Sequence, residues 1–400
     1  MSLSFAPQTP RQTTIAKSKK MSTTTEQPTA PPLCRRCKEH DGIYVLRNEP
    51  PHCRGCYEYF IRSKCVKRME SYKIRADDQN QIPTFLLPIS FGISSTSLLY
   101  LIDSQLAGQR QKVTRTRYRL KILNVDESVL DPSLPSGSHL EVVKQRFPDA
   151  GDYIASKLED IYSFTECADI PDLEKKDANK SPRECMQELL TALPSPTSRE
   201  DMAGILRTRL IVAIAQREGC SGILWGDTTT RLADKVMAEA AKGRGFSLPW
   251  QISDTKSPYG LKFLHPLRDV FKKELVTFVT EITEPPLVPL CIAYSLTPKH
   301  SAAAATSGRN ITVGELLTQY FDNMELQYPS TVMNVVRMGD RLKPSNPEAD
   351  PCTTCGLPAD ENSEGLTLGS REDTGEARGK LCYGCMRATH GAAPHSWPVM

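Results

Sequence analysis

The chain has 400 residues, 39% of them hydrophobic, and a formal net charge of +3. This length and apolar content predict two or three folded domains with a real core, and so small a net charge excludes a surface that is basic throughout. The charge is uneven, however, with eleven Lys or Arg against five Asp or Glu from Cys34 to Arg75, and six against none from Gln109 to Lys121. A local basic face is therefore expected, with an ordinary solvated surface as the alternative.

The first segment, residues 1–32, is rich in Ser, Thr, Pro and Gln, and has no acid before Glu26. Its basic residues can mimic a mitochondrial presequence, but the amphipathic helix pattern is lacking. We expect a disordered tail, with Met21 as an alternative start. The thirteen cysteines are odd in number and follow no hydrophobic signal segment, which favours a reducing cytoplasmic compartment.

Two quartets of cysteines, each made of two CxxC motifs, lie near the ends of the chain. They are Cys34, Cys37, Cys53 and Cys56, then Cys352, Cys355, Cys382 and Cys385. Fifteen residues separate the first two motifs and twenty-six the second two, spacings at which two knuckles fold back onto one tetrahedral ion. We expect a structural zinc ion in each, with Asp41-Gly42 as the turn of the first hairpin; four thiolates also suit iron.

A basic helix is predicted from Arg62 to Arg75, directly after the first quartet. Cys65 shares a helical stripe with Ile61, Met69 and Tyr72, so it is expected in the core. The other solitary cysteines are Cys167, Cys185, Cys220 and Cys291. The middle of the chain has no CxxC pair that could hold an iron–sulfur cluster.

A phosphate-binding loop is indicated by residues 86–102, LLPISFGISSTSLLYLI, where a buried-strand pattern precedes a Gly/Ser-rich turn and an apolar helix start. The loop S-G-G-x-D-S of adenylating sulfur and amide transferases has Ser, Gly and Ser at three positions that this chain keeps: Ser90, Gly92 and Ser95. Phe91 replaces its first Gly and Ser94 its Asp, so we expect a crowded turn without the carboxylate. An ordinary strand-to-helix turn is the alternative. The proline, glycine and six hydroxyl residues of this uncharged run exclude a membrane span.

A helix from Ser95 to Gly108 and a strand over RYRLKILNVDES open a doubly wound parallel sheet. Arg115, Arg117, Arg119 and Lys121 alternate along that strand and share one face. They could meet phosphates, but coating an edge strand is the favoured interpretation. A mostly polar excursion is expected from there to about residue 200.

A second strand-to-helix turn follows the strand GILWGD and is expected at the same end of the sheet as the phosphate-binding loop. Before it, a helix is predicted from Ser198 to Glu218, with Ser198 and Asp201 as its start signal. Because ligands of open α/β sheets bind where strands end and helices begin, Asp227 and Thr228 are expected to face Ser90 to Ser95. Asp227 could also serve only as a cap. Further along, His265, Arg268 and Asp269 are expected at a helix start.

These segments together resemble the cytoplasmic tRNA 2-thiolation protein 2 family. The residues that carry the resemblance are CRRCKEHDGIYVLRNEPPHCRGCYEYFIRSKCVKRME, PISFGISSTSLL, GDTTTRLADKV with GRGFSLPW, HPLRD, and PCTTCG with LCYGC. The resemblance implies a mostly parallel α/β domain of the PP-loop, or adenine nucleotide alpha-hydrolase, type with a zinc knuckle at each end. The expected segments are 1–32, a tail; 33–80, a knuckle and basic helix; 81–285, the degenerate PP-loop-like domain; 286–345, a helical extension; and 346–400, a second knuckle and tail.

The resemblance also implies a cytoplasmic partner of the catalytic thiolation protein 1, which keeps the intact loop. The pair would transfer sulfur from a thiocarboxylated ubiquitin-like modifier to the wobble uridine of tRNAs for Lys, Glu and Gln, after ATP activates the uridine. Phe91, Ser94 and the missing central cysteine pair predict a subunit with no catalytic residue of its own. Whether Ser90, Gly92, Ser95, Asp227 and Thr228 still hold ATP stays open.

The tRNA contact is predicted on the basic helix, through Lys64, Lys67 and Arg68. Ordinary surface cations are the alternative there. Two other functions are also considered: a self-sufficient ATP-dependent tRNA sulfurtransferase in which Ser94 and Thr228 replace the lost carboxylate, and a scaffold that attaches the ubiquitin-like modifier to proteins. No membrane role is expected.

Overall fold

The structure is a computed structural model of the chain. It describes residues 31–47, 49–74, 81–112, 116–132, 134, 137–164, 180–292, 311–344, 349–358 and 381–390. Residues 1–30 of the predicted tail, Arg75, Arg115 and Cys167 lie outside the described residues.

Helices and strands alternate through the middle of the chain. The strands are β1 Thr84–Pro88, β2 Arg119–Asp126, β3 Asp152–Lys157, β4 Gly222–Leu224, β5 Thr255–Lys256 and β6 Lys262–Leu264. The helices are α1 Arg54–Ser71, α2 Ile93–Lys112, α3 Gly137–Arg146, α4 Pro182–Ala192, α5 Pro196–Arg217, α6 Thr229–Ala241, α7 Leu248–Ile252, α8 Lys272–Thr277, α9 Val313–Gln327, α10 Pro329–Asp340 and α11 Tyr383–Thr389.

The sheet has the order β3-β2-β1-β4-β6-β5, and every pairing is parallel except that of β5 with β6. Phe85 and Leu87 of β1 point into one hydrophobic core, while Leu86 points into a second. Helices therefore cover both faces, as successive strand residues point to opposite sides. The predicted α/β fold class is confirmed.

Three local predictions on the sheet and its helices are wrong. The stretch from 129 to 200 is not a mere polar excursion, because α3, β3 and α4 lie within it. Arg119 and Lys121 are not on an edge strand, since β2 lies between β1 and β3. Ser198 is not the cap of α5: the hydroxyl of Ser195 accepts the N–H of Ser198, which places the cap one residue before Pro196.

The N-terminal module, residues 33–74, packs against the α/β domain through α1. Tyr57, Ile61, Cys65 and Met69 are its buried stripe, which confirms the core position of Cys65. Asp41-Gly42 is not the hairpin turn, because Asp41 pairs with Leu33 in an antiparallel bridge. At Gly42 the chain instead passes close to the backbone of Pro51. A Cβ on Gly42 would lie 2.8 Å from the carbonyl oxygen of Pro51.

The successive helices α9 and α10 contact each other and both pack on α6. Thr312 begins α9 with a capping box, since its hydroxyl accepts the N–H of Glu315 while the Glu315 carboxylate accepts the N–H of Thr312. Phe321 and Val332 are buried with Leu232 of α6 in a small core of their own. Of the two helices, α9 lines the cleft described below.

Candidate functional site

A cleft of about 680 Å³ lies beyond the carboxyl ends of β1 and β4. This is the point where the strand order reverses, the usual ligand position in open α/β sheets. Its walls include the loop after β1 and the turn after β4, and a Cβ on Gly226 would lie 3.1 Å from Cα of Ser95. The two turns are therefore in contact, as the sequence predicts. The sequence-predicted residues Ser90, Gly92, Ser94, Ser95 and Asp227 all line the cleft.

The loop uses its own hydroxyl groups to hold its shape. The hydroxyl of Ser95 donates to the carbonyl oxygen of Gly92 (3.2 Å) and accepts the backbone N–H of Ser90 (3.3 Å). Ser95 is buried, Ser90 is exposed, and Ser94 is half-buried. The Ser90 hydroxyl also lies 3.4 Å from that of Ser95, so the loop uses both of these hydroxyl groups internally.

Phe91, which stands where the intact loop has glycine, adopts a backbone conformation that favours glycine. Its φ is +54°, in the left-handed region that favours glycine. The ring is buried in the core, with its centroid 4.6 Å from that of the His139 ring. Its carbonyl oxygen accepts the N–H of Ile292 (2.8 Å).

Phe91→Gly is expected to destabilise the chain, although it restores the residue of an intact loop. Relief of the left-handed backbone contributes about 1 kcal/mol, whereas removing a buried phenyl ring costs about 3–5 kcal/mol. The free energy of unfolding should therefore fall by about 2–4 kcal/mol in urea titrations. Phe91→Leu, which keeps apolar volume at the same backbone strain, serves as control; a glycine variant as stable as the wild type would contradict the anchoring role of the ring.

Asp227 is engaged by two basic side chains. Its Oδ2 lies 2.6 Å from Nζ of Lys235 and 3.3 Å from Nδ1 of the fully buried His265. Burial acts to raise the pKa of Asp227, but Lys235 and then His265 outweigh it and hold the pKa well below its usual range.

Thr228 is the cap of α6, accepting the N–H of Arg231. His265, Arg268 and Asp269 precede α8 instead of starting it, because that helix begins at Lys272.

Each basic side chain among the described residues that line the cleft has a carboxylate partner. The pairs are Arg207–Glu127, Arg231–Asp234, Lys235–Asp227, Lys242–Asp201, Arg244–Asp201 and Lys272–Asp322. A polyphosphate needs unpaired cations, and here it would have to displace carboxylates first. The sequence did not reveal this, because most partners lie dozens of residues apart.

Glu325 fixes α9 to two helix starts beside the cleft. Its carboxylate accepts the hydroxyl proton of Thr230 and, at 2.6 Å, the backbone N–H of Lys273. Burial raises the pKa of Glu325 to about 7, although these two hydrogen bonds act to lower it. The buried carboxyl therefore binds a proton more tightly in the folded chain than in the unfolded chain.

Glu325→Gln is expected to flatten the pH dependence of stability. The contribution of Glu325 is fully present below its ordinary pKa of 4.5 and is lost as pH rises through about 7. Above pH 7 the uncharged glutamine should make the chain more stable than the wild type by about 2–3 kcal/mol. Urea unfolding from pH 5 to pH 8 measures this difference, with Glu188→Gln on the exposed face of α4 as control. Equal pH slopes for wild type and Glu325→Gln would refute it.

The N-terminal quartet brings its four sulfur atoms within 4.8 Å of one another. Cys34 is buried and the other three are half-buried; the sulfurs of Cys37 and Cys53 are 3.8 Å apart. Backbone N–H of Glu39 and the His40 side chain lower the pKa of Cys37 to about 6. Burial and the neighbouring thiols raise the pKa of Cys56 to about 12.

The C-terminal quartet is fully buried and adjoins the cleft, which Cys355 lines. The sulfurs of Cys355 and Cys382 are 3.9 Å apart. Arg244 reaches the quartet because Gly384, between Cys382 and Cys385, has no side chain: a Cβ there would lie 3.0 Å from Nη1 of Arg244. Arg209 packs in the same way against Gly356, whose φ is +70°.

Both quartets fit one tetrahedral ion. Zn–S bonds of about 2.3 Å put the sulfurs of such a site roughly 3.8 Å apart, which agrees with the two separations above. With four thiolates and no open position, each site would be structural. The donor set accepts zinc or iron, so zinc itself stays a prediction. Among the described residues, the one further group of potential ligands is Cys37, Glu39 and His40, and none lies at the loop after β1.

The predicted tRNA contacts lie on α1 in three different environments. Lys67 is exposed, and Lys64 is half-buried with Nζ 5.5 Å from the centroid of the Phe60 ring. Arg68 forms an ion pair with Asp254 (2.7 Å), which also pairs with Arg268. Arg68 is thus the least available of the three for a phosphate.

Among the described helices, none combines the length and the apolar character needed to cross a bilayer.

Comparisons with known proteins agree with this architecture. The model of the family described as cytoplasmic tRNA 2-thiolation protein 2 matches residues 312–373. A relative of that name from Phaeosphaeria nodorum is 40% identical over 372 residues, covering 89% of this chain and 94% of the relative. Another, from Pyrenophora tritici-repentis, is 38% identical over 367 residues, with the same coverage of 89% and 94%.

Among solved structures, the U34-tRNA thiolase NcsA from Methanococcus maripaludis, determined with its 4Fe-4S cluster, matches with a TM-score of 0.55 at 15% identity. The match covers 83% of this chain and 98% of NcsA. The fold and cleft therefore define an α/β protein built like a tRNA thiolase, with a cysteine quartet at each end. The sequence identity is more specific: the chain belongs to the cytoplasmic tRNA 2-thiolation protein 2 family, as its motifs predict.

Proposed function

We propose that this chain is the non-catalytic subunit of a cytoplasmic complex that 2-thiolates the wobble uridine of tRNAs for Lys, Glu and Gln. Its partner would be the catalytic thiolation protein 1, and the sulfur would come from a thiocarboxylated ubiquitin-like modifier. Membership of the 2-thiolation protein 2 family and the thiolase-like fold support a role in tRNA thiolation.

The observation that carries the non-catalytic assignment is the neutralised cleft. Its six basic side chains face seven carboxylates, and each basic group is already paired. In the loop, Phe91 is committed to the core and Ser94 offers a hydroxyl where a carboxylate would orient the metal–nucleotide complex. The cleft therefore keeps the shape of a nucleotide site without free charges to hold phosphates. Nucleotide binding by Ser90, Gly92, Ser95, Asp227 and Thr228 stays a prediction.

A protein partner is supported by apolar side chains that the helix pair α9 and α10 leaves exposed. They are Leu316, Tyr320, Leu326, Tyr328, Met338 and Leu342. The two metal ions would hold the terminal modules in shape and take no part in sulfur transfer. Lys64 and Lys67 would contact the tRNA.

The test is the wobble 2-thiouridine content of bulk tRNA, measured by mass spectrometry in a strain lacking this gene and in the same strain with it restored. Loss on deletion and recovery on restoration are expected. Unchanged thiolation with altered conjugates of the ubiquitin-like modifier would instead establish the scaffold function.

A second assay separates subunit from catalyst. The purified chain, its partner, and the two combined are incubated with ATP, sulfur donor and tRNA transcript. We expect thiolation only in the presence of the partner. Thiolation by this chain alone, abolished by Ser94→Ala in a folded protein, would show that it is a self-sufficient sulfurtransferase.

A further inference from the structure

An exposed aromatic ring in the N-terminal module is held in place by a stacked cation. Tyr59, on α1, is 53% exposed. The guanidinium carbon of Arg36, which lies between Cys34 and Cys37, is 3.6 Å from the centroid of the Tyr59 ring. This is a stacking distance, so the contact joins the turn that holds Cys34 and Cys37 to α1. Ring and cation are therefore fixed relative to the cysteine quartet.

The surface around this stack is basic after internal ion pairs are accounted for. Within the described part of the module, the paired cations are Arg35 with Glu49, Arg47 with Glu274, Arg54 with Glu284, Arg62 with Glu58, and Arg68 with Asp254. The cations there without a carboxylate partner are Arg36, Lys38, Lys64, Lys67 and Lys73, against the carboxylates of Glu39, Asp41 and Glu70. Unpaired cations thus outnumber unpaired acids.

Two of these lysines lie on the same helix, Lys64 five residues and Lys67 eight residues beyond Tyr59, about 8 and 12 Å along the helix axis. Tyr59, Ser63 and Lys67 follow one another at four-residue spacing, so they form one ridge of α1. Lys64 lies on the adjacent ridge, over the Phe60 ring. An aromatic face with flanking ammonium groups at this spacing suits a nucleotide chain, whose bases stack and whose phosphates need cations. Protein interfaces, in contrast, are poor in lysine.

We propose that Arg36 and Tyr59 form a stacking platform for an unpaired base of RNA, with Lys64 and Lys67 holding the neighbouring phosphates. The inference rests on the proposed function, since it names the part of the tRNA that this module would bind. A base in a duplex is already stacked on its neighbours and cannot reach the ring, so the ligand is a single-stranded segment such as a loop or an end.

The test measures affinity of the full-length, metal-loaded protein for a fluorescent tRNA transcript at several salt concentrations. Competitors are a single-stranded oligoribonucleotide and an RNA duplex of the same length. Tyr59→Ala should weaken binding about tenfold or more, since stacking of one base contributes about 1–3 kcal/mol. Tyr59→Phe should bind within about threefold of the wild type. Lys67→Ala should reduce the salt slope by about one, whereas Tyr59→Ala should leave it unchanged.

Val142→Ala is the control, because Val142 is an exposed apolar residue (44%) on α3, outside both this module and the exposed apolar side chains of α9 and α10. Metal content of each variant verifies that the knuckle is intact. Wild-type affinity of Tyr59→Ala, or equal competition by duplex and single strand, would overturn the platform. Loss of a co-purifying protein by Tyr59→Ala at unchanged RNA affinity would also overturn it, in favour of a protein interface.

Failure of the platform and failure of the proposed function are distinguishable. If deletion abolishes thiolation but Tyr59→Ala supports it fully and binds tRNA normally, the platform alone is wrong. If deletion leaves thiolation unchanged, the proposed function is wrong, whatever the affinity of Tyr59→Ala.

Discussion

Replacing Arg244 with methionine should destabilise the protein and loosen the C-terminal metal site together. Arg244 is 2% exposed, and its Nε donates to Glu239 (2.8 Å) while Nη2 donates to Asp201. Its Nη1 has no hydrogen-bond partner among the described residues and lies beside Gly384, where a Cβ would be 3.0 Å from it. The variant would leave two buried carboxylates short of a partner, a loss of about 3–5 kcal/mol. Lys242 also contacts both carboxylates, so the loss in free energy of unfolding should lie near the lower end of this range.

The effect on the metal follows from charge. Four thiolates around one divalent ion carry a net charge of about −2 in a buried site, and Arg209 and Arg244 are the guanidinium groups packed against it. A buried positive charge beside these thiolates stabilises their ionised form, so removing it should weaken metal binding. We therefore expect a chromogenic chelator to remove one of two metal ions from Arg244→Met much faster than from the wild type.

The measurements are urea unfolding and the time course of metal release. Arg387→Met is the control, since Arg387 lies on α11 with two ligands of the same quartet at its start and donates a hydrogen bond to the carbonyl oxygen of Ala241 instead of to a carboxylate. Arg244→Lys should restore part of the stability. Unfolding and release curves that match those of the wild type would show that Arg244 does not support the site.

Replacing Arg47 with alanine should release the N-terminal module from the α/β domain. Arg47 Nε lies 2.8 Å from Oε1 of Glu274, whose side chain is 1% exposed. The guanidinium carbon is also 4.9 Å from the centroid of the Phe271 ring. Truncation would leave the carboxylate of Glu274 buried without its cation, which costs about 3–5 kcal/mol. Because Glu274 also accepts the N–H of Phe271 at the start of α8, that helix start should loosen too.

Hydrogen exchange of α1 and urea unfolding measure this release. Arg35→Ala is the control: its ion pair with Glu49 is about half exposed on both sides and should contribute less than about 1 kcal/mol. Protection of α1 that is unchanged in Arg47→Ala would mean that the apolar stripe around Tyr57 holds the module without the ion pair.

The sequence alone determined the features that depend on neighbours along the chain. The CxxC spacings predicted both quartets, because two cysteines with two residues between them place both sulfurs on one tight turn. The strand–loop–helix pattern around Ser90 predicted the α/β sheet and the meeting of two turns at the cleft, since parallel strands end at one edge. Five ordered motifs identified the family.

The tertiary structure alone decided how charge is distributed in the site. Asp227 looked like a ligand for a nucleotide or a cap, and the fold commits it to Lys235 and His265. Arg68 looked like a phosphate contact, and Asp254, far along the chain, engages it. Such pairs join residues on different elements, and nothing in a local pattern encodes which cation a given carboxylate will meet. Phe91 shows the same limit: the sequence reports a lost glycine, but only packing against His139 shows where the ring goes.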